Sequence, residues 1–330
     1  MSPPRLPSVL LPERIALDKI WGGVVLANRL GIDRSRLGET WDCFDRGPEA
    51  SARILNHGGE TLHAIVETSR EALLGMALPD EFGRFPLMLK LLDATQRLSL
   101  QVHPDDELAR SLDVGDTGKT EAWVVLEARK GAELVRGFHG SAERLVDAAR
   151  HGRVEERMLD HVFAHRGDVI EIPPGTVHAV GAGYVLYEIQ QNSDITLRLY
   201  DWGRVGDDGR PREVHLDAGL RAISRRSSAA DTLTSGERRE SEGVELLVRN
   251  ACFELRRITL DRVRQLDLGG SCALVTPIAG AIRVGEVELG ALTTGIVCAF
   301  AERVSIRPAG PMDTATVLVA TPRVAVPSVE

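Results

Sequence analysis

A chain of 330 residues with 43% hydrophobic and 27% charged residues has an ordinary water-soluble balance and the length for two domains, each with its own core. Its net charge of −8 argues against a nucleic-acid surface, which needs clustered basic residues, and no apolar run reaches the ~20 residues that span a bilayer. The opening Met-Ser-Pro-Pro-Arg-Leu-Pro lacks the apolar stretch and cleavage site of a secretory signal, so a cytoplasmic protein is expected. Cys43, Cys252, Cys272 and Cys298 are scattered, form no Cys-x-x-Cys pair and read as free thiols. Of 40 basic residues only Lys19, Lys90, Lys119 and Lys130 are lysine, and a lysine kept against such a bias points to a need for its compact ammonium head.

In chain order, short runs rich in Val, Ile, Leu and Thr are broken by Gly, Pro and Asp, which predicts strands at 122–126, 169–172, 184–189 and 195–200. In the last, Ile195, Leu197 and Leu199 alternate with Thr196, Arg198 and Tyr200, the period of two that gives a strand one apolar face. Helices are few: 104–112, opened by Pro104 and an acidic first turn; 141–150, capped by Ser141 with Leu145, Ala148 and Ala149 on one face; and 217–223. This pattern predicts an all-β barrel or sandwich with a few peripheral helices rather than βαβ units. No Gly-x-Gly-x-x-Gly or Walker-type loop follows a strand, so nucleotide binding has little support. Residues 225–243 turn polar and read as a linker, after which apolar runs at 244–247, 253–260, 273–278, 281–284 and 316–320 predict a second β-domain. The expected division is 1–235 and 236–330, and because His215 is the last histidine the chemistry is assigned to the first domain.

Three segments there carry candidate chemistry. Gln101 and His103 are two apart, so on a strand both side chains leave the same face, and Pro104 stops the strand where a site can open. Glu121, after Gly118-Lys-Thr, adds an anionic oxygen to these neutral donors. The stretch from Gly167 to His178 sets glycines and prolines around a tight corner ahead of the histidine. It matches G-x5-P-x-G-x2-H, the second motif of the cupin superfamily, at every fixed position; where that motif continues x3-Asn, this chain has Ala182. Two imidazoles and a carboxylate, His103, Glu121 and His178, with Gln101 as a candidate fourth ligand, suit one Zn²⁺ with an open position. Mn²⁺, Fe²⁺ or Co²⁺ would fit the same donors. The expected fold is a cupin-type jelly-roll barrel.

These segments resemble the type I mannose-6-phosphate isomerase (phosphomannose isomerase) family in its short bacterial branch. So do Ile20-Trp-Gly-Gly23, Gly38-Glu-Thr-Trp41, Leu89-Lys-Leu-Leu-Asp-Ala94 and the run from Glu188 to Trp202, and the resemblance covers roughly the first two-thirds of the chain. It implies zinc at His103, Glu121 and His178 with Gln101 alongside, a functional arginine at Arg198, and Lys90, Ser99, Lys119 and Asp194 lining the substrate pocket. Two departures stand out. The long branch's His-Lys-Pro-Glu is Gly-Lys-Thr-Glu here, so that histidine has no acid or base role, and Thr-Tyr-Arg is Thr196-Leu-Arg198, without the pocket phenol.

The implied activity interconverts mannose 6-phosphate and fructose 6-phosphate through an enediol, which needs a polarised carbonyl, a stabilised oxyanion and a proton shuttle. In that scheme Arg198 steadies the enediolate, Lys119 reaches the oxygens held near Glu121, and Lys90 with Ser99 takes the phosphate. For the base, Asp194, Glu188 and a hydroxide on the metal stay open. Two other readings compete: a non-catalytic sugar-phosphate sensor, and a metal cupin of another class such as an oxygenase. The latter usually carries His-x-His where this chain has Gln101-Val-His103. The expected partner is a small sugar phosphate, with no nucleic acid and no membrane; sequence leaves the oligomeric state open.

Overall fold

A computed structural model describes residues 6–206, 208–225, 238–310 and 313–324. Its regular elements are mostly strands in antiparallel ladders. The chain divides into two units, one formed by Ala16–Thr40 and Lys90–Ser235, the other by Met1–Ile15, Trp41–Leu89 and Gly236–Glu330. The sequence expectation had a single boundary after residue 235. Within the second of these units the cause of the difference is visible: Val9 pairs with Val297 and Leu10 with Ile296, while Gly75 bridges Ser271 and Ala77 bridges Val324. Such pairings join residues hundreds of positions apart and leave no local trace in composition. Of the polar stretch 225–243, residues 226–237 lie outside the described residues.

The unit holding the candidate ligands contains a five-stranded sheet in the order Leu197–Tyr200, Leu100–Val102, His178–Ala179, Leu134–Phe138 and Leu159–Val162. Tyr184–Gln191, Glu121–Ala128 and Val169–Ile172 are neighbours in a six-stranded sheet. The period of two decides what each face does. Leu100, Val102, Val177, Ala179, Leu197 and Leu199 join one buried cluster, and Trp123, Val125, Ile170, Ile172, Tyr184 and Leu186 another. Each fully buried Val or Leu contributes roughly 1.5–3 kcal/mol, which locks the register. With that register fixed, the intervening Gln101 and Arg198 turn to the opposite face.

Helix Ala142–Arg150 starts as expected, Ser141 Oγ accepting from Arg144 N–H at 3.3 Å, but Leu145 and Val146 form its buried face rather than Ala148 and Ala149. In Asp106–Leu112 the cap is Asp105, which accepts from Leu108 N–H at 2.7 Å, so Pro104 sits outside the helix. Leu216–Ser224 is one residue longer at each end than expected. Helices Val25–Leu30 and Leu62–Leu74 had no sequence expectation. The other unit carries a seven-stranded and a four-stranded sheet around a core that includes Leu260, Val275, Ile282, Leu289 and Val317.

Candidate metal centre and substrate cleft

The strand pairing decides which side chains meet. Across the five-stranded sheet Arg198 stands opposite Gln101, Gln101 opposite His178, and His178 opposite Arg136. Side chains directly opposite one another leave the same face. One row therefore sets two candidate ligands beside the candidate catalytic arginine. His103 lies one residue past Leu100–Val102, and its carbonyl accepts from Gly175 N–H at 2.9 Å. Gly175 has φ +78°, a conformation that costs a side chain dearly, and it turns the corner that leads to His178.

Glu121 arrives from the other sheet as the first residue of its strand, opposite Gln190 and Ile172. The loop before it is stitched to the Gln-Val-His-Pro segment. A Cβ on Gly118 would lie 2.5 Å from the backbone of Asp105 and Asp106, and Lys119 N–H donates to the Pro104 carbonyl at 3.0 Å. The glycine of Gly-Lys-Thr-Glu is thus a requirement of close backbone approach.

At the centre, Glu121 Oε1 is 3.3 Å from His178 Nε2 and Oε2 is 3.5 Å from His103 Nε2, with the two imidazole rings 4.8 Å apart. All three residues are fully buried. His178 Nδ1 lies 2.9 Å from the Thr176 carbonyl, where only a protonated nitrogen bonds well, so this contact assigns the lone pair to Nε2. Donors on a tetrahedral ion at its usual bond lengths of about 2.0–2.2 Å lie roughly 3.3–3.6 Å apart. Both ring nitrogens of His103 and Oε1 of Glu121 are buried without a hydrogen-bond partner among the described residues. Spacing, donor chemistry and unmet lone pairs all fit a divalent metal, and His103, Glu121 and His178 form a cluster able to hold one. Gln101 Nε2 lies 3.1 Å from His178 Nε2, so its amide N–H faces the imidazole lone pair. To act as a fourth ligand it would turn to present Oε1, which now lies 3.5 Å from Ser99 Oγ.

Electrostatics prepare the same cluster. Lys119 Nζ sits 2.8 Å from Glu121 Oε2. Burial pushes the Glu121 carboxyl up, but Lys119 and His103 outweigh it and hold it well below the usual range. Burial opposes the Lys119 charge, and Glu121 and Glu188 more than restore it. Burial, then Lys119, drives His103 down to about 3, and burial also lowers His178. Both imidazoles are therefore neutral near pH 7, the form that binds metal. A pH dependence follows. Below its ordinary 6.5 His103 takes a proton in the unfolded chain and refuses it in the fold, so the unfolded state binds more protons. The stability from this group is complete above pH 6.5 and is lost as pH falls toward about 3. Thermal melts of metal-free protein should show Tm falling from pH 7 to pH 4, and falling less steeply in His103→Gln.

A cleft of about 350 Å³ is lined by Gln101 and Lys119 and by the expected Lys90, Ser99, Asp194 and Arg198. Lys90 is buried and donates to Asp194 Oδ1 at 3.0 Å, while Asp194 is half-exposed. Burial raises the Asp194 carboxyl, but Lys90 and Lys119 bring it below its ordinary value. Burial, then Glu121, pushes Glu188 up to about 7; the carboxylate accepts from Trp123 Nε1–H at 2.8 Å, and Trp123 packs edge-on against His178. Sequence reasoning passed over four ionisable cleft residues: Lys19, Glu39, Arg212 and His215. The scarcity of lysine held part of that signal, because Lys19, Lys90 and Lys119 all line the cleft, leaving only Lys130 elsewhere. A larger cavity of about 470 Å³ lies in the other unit, lined by residues such as Arg256, Leu268 and Val319, and contains none of the candidate residues.

The family model described as phosphomannose isomerase type I, catalytic domain, matches residues 14–121. Mannose-6-phosphate isomerase ManA of Bacillus subtilis (strain 168) is 40% identical over 210 residues, which is 62% of this chain and 65% of ManA's length. GmuF of the same organism, named a probable mannose-6-phosphate isomerase, is 34% identical over 220 residues, covering 65% of this chain and 68% of GmuF. This chain belongs to the type I phosphomannose isomerase family. The crystal structure of the Bacillus subtilis mannose 6-phosphate isomerase superposes with a TM-score of 0.83 at 28% identity, covering 95% of this chain and 99% of that one. The apo Salmonella typhimurium enzyme, at 18% identity and TM-score 0.72 over 96% of this chain and 100% of its own, shares the fold. The all-β, cupin-type fold expected from the sequence is thus the fold of phosphomannose isomerases. Among the described residues no helix is long and apolar enough to cross a membrane.

Proposed function

We propose that this phosphomannose isomerase family member interconverts mannose 6-phosphate and fructose 6-phosphate in the cytoplasm, with one zinc ion held by His103, Glu121 and His178 and Gln101 beside them. The observation that carries the reading is a buried His/Glu/His cluster, its imidazoles neutral, adjoining a cleft lined by Lys19, Lys90, Lys119 and Arg198. The bound ion supplies charge stabilisation for a carbonyl oxygen as it becomes an oxyanion.

The chain's own residues do the rest. Lys119, kept protonated against burial by Glu121 and Glu188, presents an ammonium where negative charge develops. Arg198 adds fixed donors from the next strand of the row. The Lys90–Asp194 pair, 3.0 Å apart, offers a donor and an acceptor for the proton that moves between adjacent carbons. Glu188, pushed up to about 7, is a second candidate and can exchange a proton near neutral pH, whereas Asp194 is held ionised. Ser99, buried in the cleft wall, contributes a neutral hydroxyl.

The test is turnover of mannose 6-phosphate by zinc-loaded protein, with fructose 6-phosphate coupled to glucose 6-phosphate oxidation. Turnover that disappears on chelation and returns with metal is expected. Full metal occupancy without turnover of either hexose phosphate would leave the sensor reading in its place.

A further inference from the structure

We infer that Arg212 pairs with Arg198 to form the phosphate-binding corner of the cleft, and that Arg212, rather than Lys90, makes the site select a phosphorylated sugar. This rests on the isomerase reading and names the group that holds the substrate's anionic end. The cleft lysines all face a carboxylate: Lys19 faces Glu39 at 2.6 Å, Lys90 faces Asp194 at 3.0 Å and Lys119 faces Glu121 at 2.8 Å. Lys90, which is buried, would have to give up or share Asp194 to take a phosphate.

The arginine edge is different. Asp201 is the carboxylate within ion-pair distance of both Arg204 and Arg212, and Arg198 has none within that distance among the described residues. Three guanidiniums against one carboxylate leave a surplus of two positive charges, with Glu213 acting on Arg198 only from longer range. Asp201, itself buried, holds Arg212 as a fork, Nε to Oδ2 at 2.7 Å and Nη2 to Oδ1 at 2.5 Å. A guanidinium has five N–H donors; the fork spends two and fixes the plane, leaving three on a residue that lines the cleft. Arg198 donates through Nη1 to the Glu213 carbonyl at 2.8 Å, while its Nε is buried without a partner. Two guanidiniums on one wall, with donors uncommitted and charge uncompensated, match the fork geometry of a phosphate dianion.

The experiment compares wild type, Arg212→Gln and Arg212→Lys, each zinc-loaded, by kinetics on mannose 6-phosphate and by calorimetric binding of inorganic phosphate. In Arg212→Gln the KM for mannose 6-phosphate and the Kd for phosphate should both rise about 10- to 100-fold, with kcat held within a few-fold. Arg212→Lys, which keeps the charge and loses the fork, should recover part of the phosphate affinity; it also decides the matter if the glutamine variant fails to fold. Unchanged phosphate binding, or a fall in kcat with KM and phosphate affinity intact, would overturn the assignment. A wild type that binds phosphate through Arg212 yet turns over neither hexose phosphate would keep the phosphate corner and overturn the isomerase reading.

Discussion

His178→Ala should empty the metal site and lower kcat/KM on mannose 6-phosphate by about a thousandfold or more. The imidazole supplies one of three clustered donors, its Nε2 lying 3.3 Å from Glu121 Oε1 with the tautomer set by the Thr176 carbonyl. Without it, His103 and Glu121 are left as two of the three protein ligands that a catalytic zinc site uses. The fold should survive, because the strand pairing of His178–Ala179 is backbone and the truncation costs an ordinary core deletion, about 1–3 kcal/mol. Metal content by mass spectrometry, a thermal melt and the coupled assay on one preparation check all three. A variant that keeps a full complement of metal and full turnover would move the site elsewhere.

Lys119→Met should destabilise the metal-free protein strongly and the metal-loaded protein much less. The Lys119 ammonium lies 2.8 Å from Glu121 Oε2, and both side chains are almost wholly buried. Removing one partner of a buried pair leaves an uncompensated charge, at a cost of about 3–5 kcal/mol. A bound divalent ion answers the same carboxylate, so loading the site should restore most of the lost Tm. Activity should still fall about a hundredfold or more, because the ammonium proposed to face the developing oxyanion is gone. Adding Glu121→Gln to Lys119→Met removes the stranded charge and should recover stability without metal, a coupling that a double-mutant cycle reads directly. Equal destabilisation with and without metal would contradict a shared carboxylate.

The site was legible where its geometry is local. Gln101 and His103 share a face because they are two apart on a strand, and the Gly-Pro corner before His178 is a turn written in residue types that turns require. The meeting of those segments with Glu121 was legible only through the cupin motif and the family resemblance, since pairing of His178 with Gln101 spans 77 positions and no local pattern encodes it. Arg212 and Lys19 escaped for the same reason: each reaches the cleft through tertiary partners, Asp201 and Glu39, that sequence does not link to it. The joining of Met1–Ile15 and Trp41–Leu89 to the C-terminal strands is a further case of long-range pairing. The Ser141 cap stands where the sequence placed it, whereas the helix expected to open at Pro104 starts two residues later, capped by the Asp105 carboxylate that accepts from Leu108 N–H.

The most direct test is a crystal structure of the zinc-loaded protein with anomalous data collected on both sides of the zinc edge. One anomalous peak per chain should lie within bonding distance of His103, Glu121 and His178. A zinc-saturated crystal with that peak elsewhere, and with Glu121 still bound only to Lys119, would show that the buried cluster is an ion-pair core and no metal centre.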